Sequence, residues 1–297
     1  MTPESGPPEG PRPGLSPYRG QSLGLASRHG KERAIARPFR IALGLELVLA
    51  EGFDTDSLGT FSGERPRANS AERTCLLKAQ AAMEHTGLDL GLASEGSFGP
   101  HPALPFLACG SECMTFVDRH RGLVIQERLL ARRTNFDHRS VGPGDDLGDW
   151  LARVGFPRHG LIVRPHLPGG DPLILKDLAD HRALERAIHR CAAGSSDGRA
   201  WLETDMRAHR NPTRMASIRQ LAFRLARRIA TPCPACTAPG WGTVGTVTGL
   251  PCSWCGHPTS LTAKEVFACG ACGHRQELPR SDGLRVADPG QCPLCNP

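Results

Sequence analysis

The strongest constraint on this chain is a run of four CxxC pairs, all after residue 230: Cys233/Cys236, Cys252/Cys255, Cys269/Cys272 and Cys292/Cys295. Two thiolates separated by two residues grip one metal from a tight turn, and two such knuckles close a tetrahedral four-sulfur site of the kind zinc prefers. Eight ligands imply two zinc ions. The pairs are separated by 15, 13 and 19 residues, and the outer two intervals suit a sequential arrangement, first with second and third with fourth; nested and crossed pairings stay open. A closed four-sulfur shell leaves no position for water or substrate, so both ions are expected to be structural, supporting a segment too short for a good core of its own.

The remaining composition narrows the setting. Twelve cysteines without an export signal favour reduced thiols available to metal over a disulfide framework. The first twenty residues hold six Pro and four Gly, which reads as a disordered leader, and nothing approaches the roughly 18 apolar residues of a membrane span. A cytoplasmic protein is the expectation. The formal net charge of +6 is unevenly placed: Arg186–Ala230 holds ten Arg against Asp197, Glu203 and Asp205, whereas residues 231–297 balance four basic with four acidic side chains. A neutral tail is poorly suited to phosphate-backbone binding, which points its zinc ribbons toward a protein partner or toward its own α/β domain.

Between leader and tail, hydrophobic patterns alternate between strand and helix. SLGLAS, LELVLA, LDLGLA, GLIVR and AWLETDM read as strands, while Gly30–Leu43, a segment capped near Asn69, Asp180–Ala193 and a helix opened by Asn211-Pro212 read as helices. Cys75 and Cys191 fall on apolar helix faces and read as core thiols. This alternation predicts an α/β domain over 21–230, a mixed sheet with helices on both faces, followed by a double zinc-ribbon domain over 231–297.

Ligands bind such domains at the loops beyond the carboxyl ends of the strands. Three segments qualify. Gly30-Lys31 opens a helix whose free amides and positive dipole suit a phosphate, with Lys31 adding charge. The acidic loop with Asp54, Asp56 and Glu64 has the spacing to share a hard ion such as Mg²⁺, or simply to cap backbone amides. Ser94–Pro102 reads as a loop after a buried strand, with Glu95 placed to bind metal or activate water. Further on, Glu203 and Asp205 precede Arg207, His209, Arg210 and Arg214 at a helix start, a combination suited to phosphate. Arg219, Arg224, Arg227 and Arg228 read as the solvated face of that helix.

Residues 73–98, RTCLLKAQAAMEHTGLDLGLASEGSF, resemble the helix, strand and acidic loop of the inosine-triphosphate pyrophosphatase family, with Lys78 on that family's helix lysine. The Gly30-Lys31 turn is similar to its phosphate-binding turn, and ETDMRAHRNPTRM is loosely similar to its last substrate loop. The resemblance implies hydrolysis of a nucleoside triphosphate to pyrophosphate with Mg²⁺ held by carboxylates; where the family has two adjacent aspartates, this chain has Ser94-Glu95. The whole chain is also similar to an uncharacterised bacterial family of such fusions. The resulting expectation is a Mg-dependent phosphohydrolase or pyrophosphatase acting on a nucleotide-like substrate. In it, Glu95, Glu64, Asp54 and Asp56 serve as metal ligands or base, and Lys31, Lys78, Arg207 and Arg210 hold phosphates. The alternative is a non-catalytic module that binds a nucleotide or nucleic acid and recruits a protein through its zinc ribbons.

Overall fold

The computed structural model describes residues 16–50, 52, 70–101, 104–131, 133–167 and 173–297. Its first layer grows from a β-α-β opening: β1 (Ser22–Ala26), α1 (Glu32–Leu43) and β2 (Glu46–Leu49). Gly44 stops α1 in the left-handed conformation, its N–H bonded to Arg40 O. Then follow α2 (Ala71–Thr86), β3 (Leu90–His101), β4 (Leu104–Asp118) and β5 (Leu123–Ala131). Ser70 caps α2 by accepting the Arg73 amide; Asn69 lies outside the described residues. The sheet order is β2-β1-β3-β4-β5, with β1 parallel to both neighbours and β4 and β5 antiparallel.

Helices cover both faces, as the alternation predicts. Leu92, Met114 and Phe116 point to the face covered by α1 and α5 (Pro212–Ala230), while Ala93, Cys113 and Val117 point to α2. Helix α2 lies so close that a Cβ on Gly91 would sit 2.3 Å from the Ala79 carbonyl oxygen. Cys75 is buried beneath it, as expected, and donates to Ala93 O. Tyr18 is a finding against the leader reading. It is fully buried, edge-on to Phe116, with its hydroxyl donating to Asp118 at 2.9 Å.

The remaining strands form a second sheet rather than extending the first. β6 (His138–Val141), α3 (Gly148–Val154), β7 (Leu161–Pro165), β8 (Leu175–Leu178), α4 (His181–Ala193) and β9 (Ala200–Thr204) make an antiparallel sheet of order β6-β9-β7-β8. It has its own core of Leu161, Val163, Leu202, Leu184, Ile188 and the expected core thiol Cys191. Hydrophobic periodicity reports which residues are inward, not which sheet a strand joins; β6 and β8, four residues each with one and two apolar residues, are too short to carry a periodic signal.

After α5, the tail forms β10 (Gly242–Thr248), β11 (Thr262–Ala268) and β12 (Arg275–Pro279), an antiparallel three-stranded sheet. It is joined to the first sheet through Arg228, which donates to Gly240 O and to Glu127 of β5. Arg224 also pairs with Glu127. Arg228, 15% exposed, is therefore structural, correcting its reading as solvated charge, whereas Arg224 stays 54% exposed. No helix among the described residues is long and apolar enough to cross a membrane.

Candidate functional site

The cysteine knuckles gather into two clusters. Cys233, Cys236, Cys269 and Cys272 form one, and Cys252, Cys255, Cys292 and Cys295 the other, with the sulfurs of each set within 4.8 Å of one another. Sulfur separations of 3.9 and 3.7 Å in the first and 3.8 and 3.6 Å in the second match the tetrahedron edge of about 3.8 Å that zinc–sulfur bonds of about 2.3 Å produce. Backbone amides of Ala235, Trp254 and Ala271 point at Cys233, Cys252 and Cys269 sulfurs. Burial opposes ionisation of Cys269, but the amides of Cys272 and Ala271 outweigh it and bring the thiol down to about 7. Each cluster is fit to hold one zinc ion.

The pairing is interleaved, first with third and second with fourth, and this overturns the sequential arrangement. The cause is topological. Each strand of the tail carries the chain from one end of the small sheet to the other, so successive knuckles alternate ends. Gly256 and Gly273 follow their knuckles with φ of +72° and +73°, and their amides bond back to Cys252 O and Cys269 O.

The second constellation lies where β1 ends. Parallel pairing of β1 with β3 stops at Ala26↔Ala93, and β3 runs on alone on that side through Ser94, Glu95 and Gly96. Here the expected loop Ser94–Pro102 is corrected to strand over Ser94–His101, because β4 pairs with β3 residue by residue as far as Pro100 and, after a register shift, at His101; Pro102 lies outside the described residues. Into the gap left by β1 comes Lys31, at the start of α1. It is buried, and its Nζ donates to Ser94 O at 2.7 Å. Burial, and after it the nearby Arg214 guanidinium, lower its ammonium to about 8. The Ser94 hydroxyl is buried and has no hydrogen-bond partner among the described residues.

Strand alternation then divides the charged residues between faces. Glu95 points to the α2 side and forms a buried ion pair with Lys78. On the α5 side, Glu112 pairs with Arg214, one of the phosphate candidates at the helix start; both side chains are buried. Gly96 makes room for this pair, since a Cβ there would lie 2.7 Å from Arg214 Nη2. The connection from β9 to α5 closes the cleft from the second sheet: His209 stacks on His29 at 4.9 Å. His29, at φ +70°, is pushed down to about 3 by burial and then by His209, so it stays neutral at physiological pH.

Arg207 and Arg210 reach the same region but are already engaged. Arg207 binds buried Asp205 and reaches Asp177, and Arg210 also binds Asp177. Asp177 sits at φ +64°; although its partial burial opposes ionisation, the Arg210 and Arg207 contacts hold its carboxyl at about 2. Glu112, Asp177 and Ser94 are the cleft residues that sequence reading does not single out. An acid isolated in an apolar strand is the one available signal for Glu112, and Asp177 carries none. Asp54, Asp56 and Glu64 lie outside the described residues. Among the described residues, the two cysteine clusters are the only groups of three or more His, Cys, Asp or Glu side chains close enough to share a metal, and Cys109 and Cys113 join no such group.

Comparison with curated proteins gives no match. A family model described as "Domain of unknown function (DUF6671)" matches residues 78–297, which take in Lys78, Glu95, the second sheet, α5 and all eight knuckle cysteines. The chain, a mixed α/β protein with two four-cysteine clusters in its tail, belongs to this family.

Proposed function

We propose that the cleft at the carboxyl ends of β1 and β3 binds a phosphate-bearing, nucleotide-like molecule and hydrolyses a phosphoanhydride bond in it. One observation carries the reading: Lys31, buried at the start of a helix, stands beside an orphaned buried hydroxyl, Ser94 Oγ, and meets no carboxylate at ion-pair distance among the described residues. A buried ammonium and an unpartnered hydroxyl both lower their free energy when an anion arrives, and the first amides of α1 add their dipole. Arg214 and Arg207, each paired with a carboxylate, line the same side of the cleft. In this reading Glu95, on the α2 side of β3 just beyond the end of β1, accepts a proton from water as it attacks phosphorus, with the anhydride oxygen leaving on the departing phosphate. Lys78 orients it. The described residues do not fit a magnesium site, since Lys78 occupies Glu95 and Arg214 occupies Glu112 on the opposite face.

A second reading keeps the cleft and drops the chemistry. The buried Lys78–Glu95 pair favours it, because that carboxylate is already held by an ammonium, and the zinc tail would then serve a protein partner. The test is release of phosphate and pyrophosphate from normal and deaminated nucleoside triphosphates, with and without Mg²⁺ or Mn²⁺, comparing wild type with Glu95→Gln. Release that is lost in the variant while nucleotide affinity persists supports hydrolysis; absence of release from every nucleotide refutes it and leaves the binding module.

A further inference from the structure

The arginines of α1 and α5 fall into two classes. Those turned inward or toward β5, namely Arg214, Arg224 and Arg228, have acidic partners in Glu112 and Glu127. Those turned outward, Arg33, Arg37 and Arg40 on α1 and Arg219 and Arg227 on α5, are exposed, and their side chains make no hydrogen bond or ion pair among the described residues. The two helices pack side by side on one face of the first sheet, burying Ile35, Phe39, Leu221 and Leu225 in a common core, so their outer faces form one surface. Helix α5 contains no acidic residue, and the single acid of α1, Glu32, is half-buried beside Ser27.

We propose that this surface docks the phosphate backbone of a nucleic acid, a role separate from that of the cleft. Five uncompensated guanidinium groups on a rigid two-helix platform are self-repulsive, and a polyanion that releases its counterions on binding is the partner that relieves this. The chemistry favours phosphate: guanidinium forks bind phosphate oxygens bidentately. Spacing agrees, since i and i+4 positions such as Arg33 and Arg37 rise by about 6 Å along the helix axis, presenting cations at regular intervals. Phe223 lies one turn from both Arg219 and Arg227 and is 38% exposed, which offers an unpaired base a ring to stack on and favours a single strand over a duplex. The tail does not compete for this partner. Its side chains sum to zero charge, and each zinc held by four thiolates adds two negative charges.

The experiment uses the zinc-loaded full chain and a fluorescein-labelled single-stranded oligonucleotide of about 20 nucleotides, titrated by anisotropy across a salt series. With four or five phosphates neutralised at roughly 0.7 per phosphate, log affinity should fall against log salt with a slope near −3. Replacing Arg33, Arg37, Arg40, Arg219 and Arg227 by Gln should weaken binding by about tenfold or more and flatten that slope, with helix content unchanged because Gln suits exposed helix positions. Phe223→Ala should reduce the preference for single strand over duplex. Unchanged binding in the five-residue variant overturns the proposal. So does tighter association with phosphatidylserine vesicles than with the oligonucleotide. Binding that is abolished by Lys31→Ala and kept by the five-residue variant also overturns it, by placing the strand in the cleft. Nucleotide turnover in the five-residue variant reports on the cleft separately, so the two readings fail independently.

Discussion

Removing Glu112 takes a buried carboxylate away from a buried guanidinium. Arg214 Nε donates to Glu112 Oε1 at 2.7 Å, Nη2 to Oε2 at 3.4 Å and Nη1 to Met206 O at 2.5 Å, with the two side chains 0% and 1% exposed. In Glu112→Ala the guanidinium keeps the Met206 carbonyl and the Phe98 ring but loses the Glu112 carboxylate in a buried site. Breaking a buried pair in this way costs about 3–5 kcal/mol, which at about 1.4 kcal/mol per factor of ten lowers the folding constant by two to nearly four orders of magnitude. Urea unfolding followed by circular dichroism, extrapolated linearly to water, measures the loss. The paired replacement Glu112→Leu with Arg214→Met removes both charges and should recover most of the stability, while abolishing phosphate-ligand affinity in the cleft. A loss below about 1 kcal/mol for Glu112→Ala, or a double variant no more stable than the single one, would refute the argument that burial makes this pair costly to break.

Three further outcomes follow from the geometry. Native mass spectrometry should find two zinc ions per chain, one after Cys236→Ser with Cys272→Ser, and none after Cys236→Ser with Cys255→Ser; sequential pairing would give the reverse for the two double variants. Lys31, lowered to about 8 in the folded chain, keeps its ordinary value near 10.5 when unfolded. Above pH 8 the unfolded chain therefore binds the extra proton, stability contributed by this residue rises between pH 8 and about 10.5, and anion affinity falls over the same window; Lys31→Met should flatten both profiles in unfolding and calorimetric titrations. Gly91→Ala drives a methyl group into the Ala79 carbonyl and should destabilise by about 2–3 kcal/mol in thermal unfolding, whereas Gly99→Ala, with nothing within 4 Å of the added carbon, should be neutral.

Local chemistry makes much of this protein legible in advance. A CxxC knuckle is a four-residue device, so the eight candidate zinc ligands are readable without a structure. The N-terminal caps are equally local: Asn211 accepts the Arg214 amide as its neighbour Pro212 suggests, and Asp180 accepts that of Ala183. Helical periodicity places Cys75 and Cys191 in the core, and Gly30-Lys31 at a strand-to-helix turn beside the cleft.

What periodicity cannot carry is which distant segment comes alongside. Whether Ser94–Gly96 is loop or strand depends on β4, whose partner residues arrive from Glu112–Met114 on a separate strand. Once β3 is a strand, its two-residue alternation sends Glu95 to Lys78 and leaves Glu112 to Arg214 on the other face, so residues that look like one cluster in sequence are divided by a sheet. The division into two sheets and the interleaving of the cysteine knuckles have the same origin. Ligand type, ligand number and the elements that repeat every two or 3.6 residues depend on near neighbours, and the linear order of residues is enough to read them. Knuckle pairing, the faces of β3 and β4 and the outward arginine surface emerge only on folding, because long-range burial sets strand registry and helix docking.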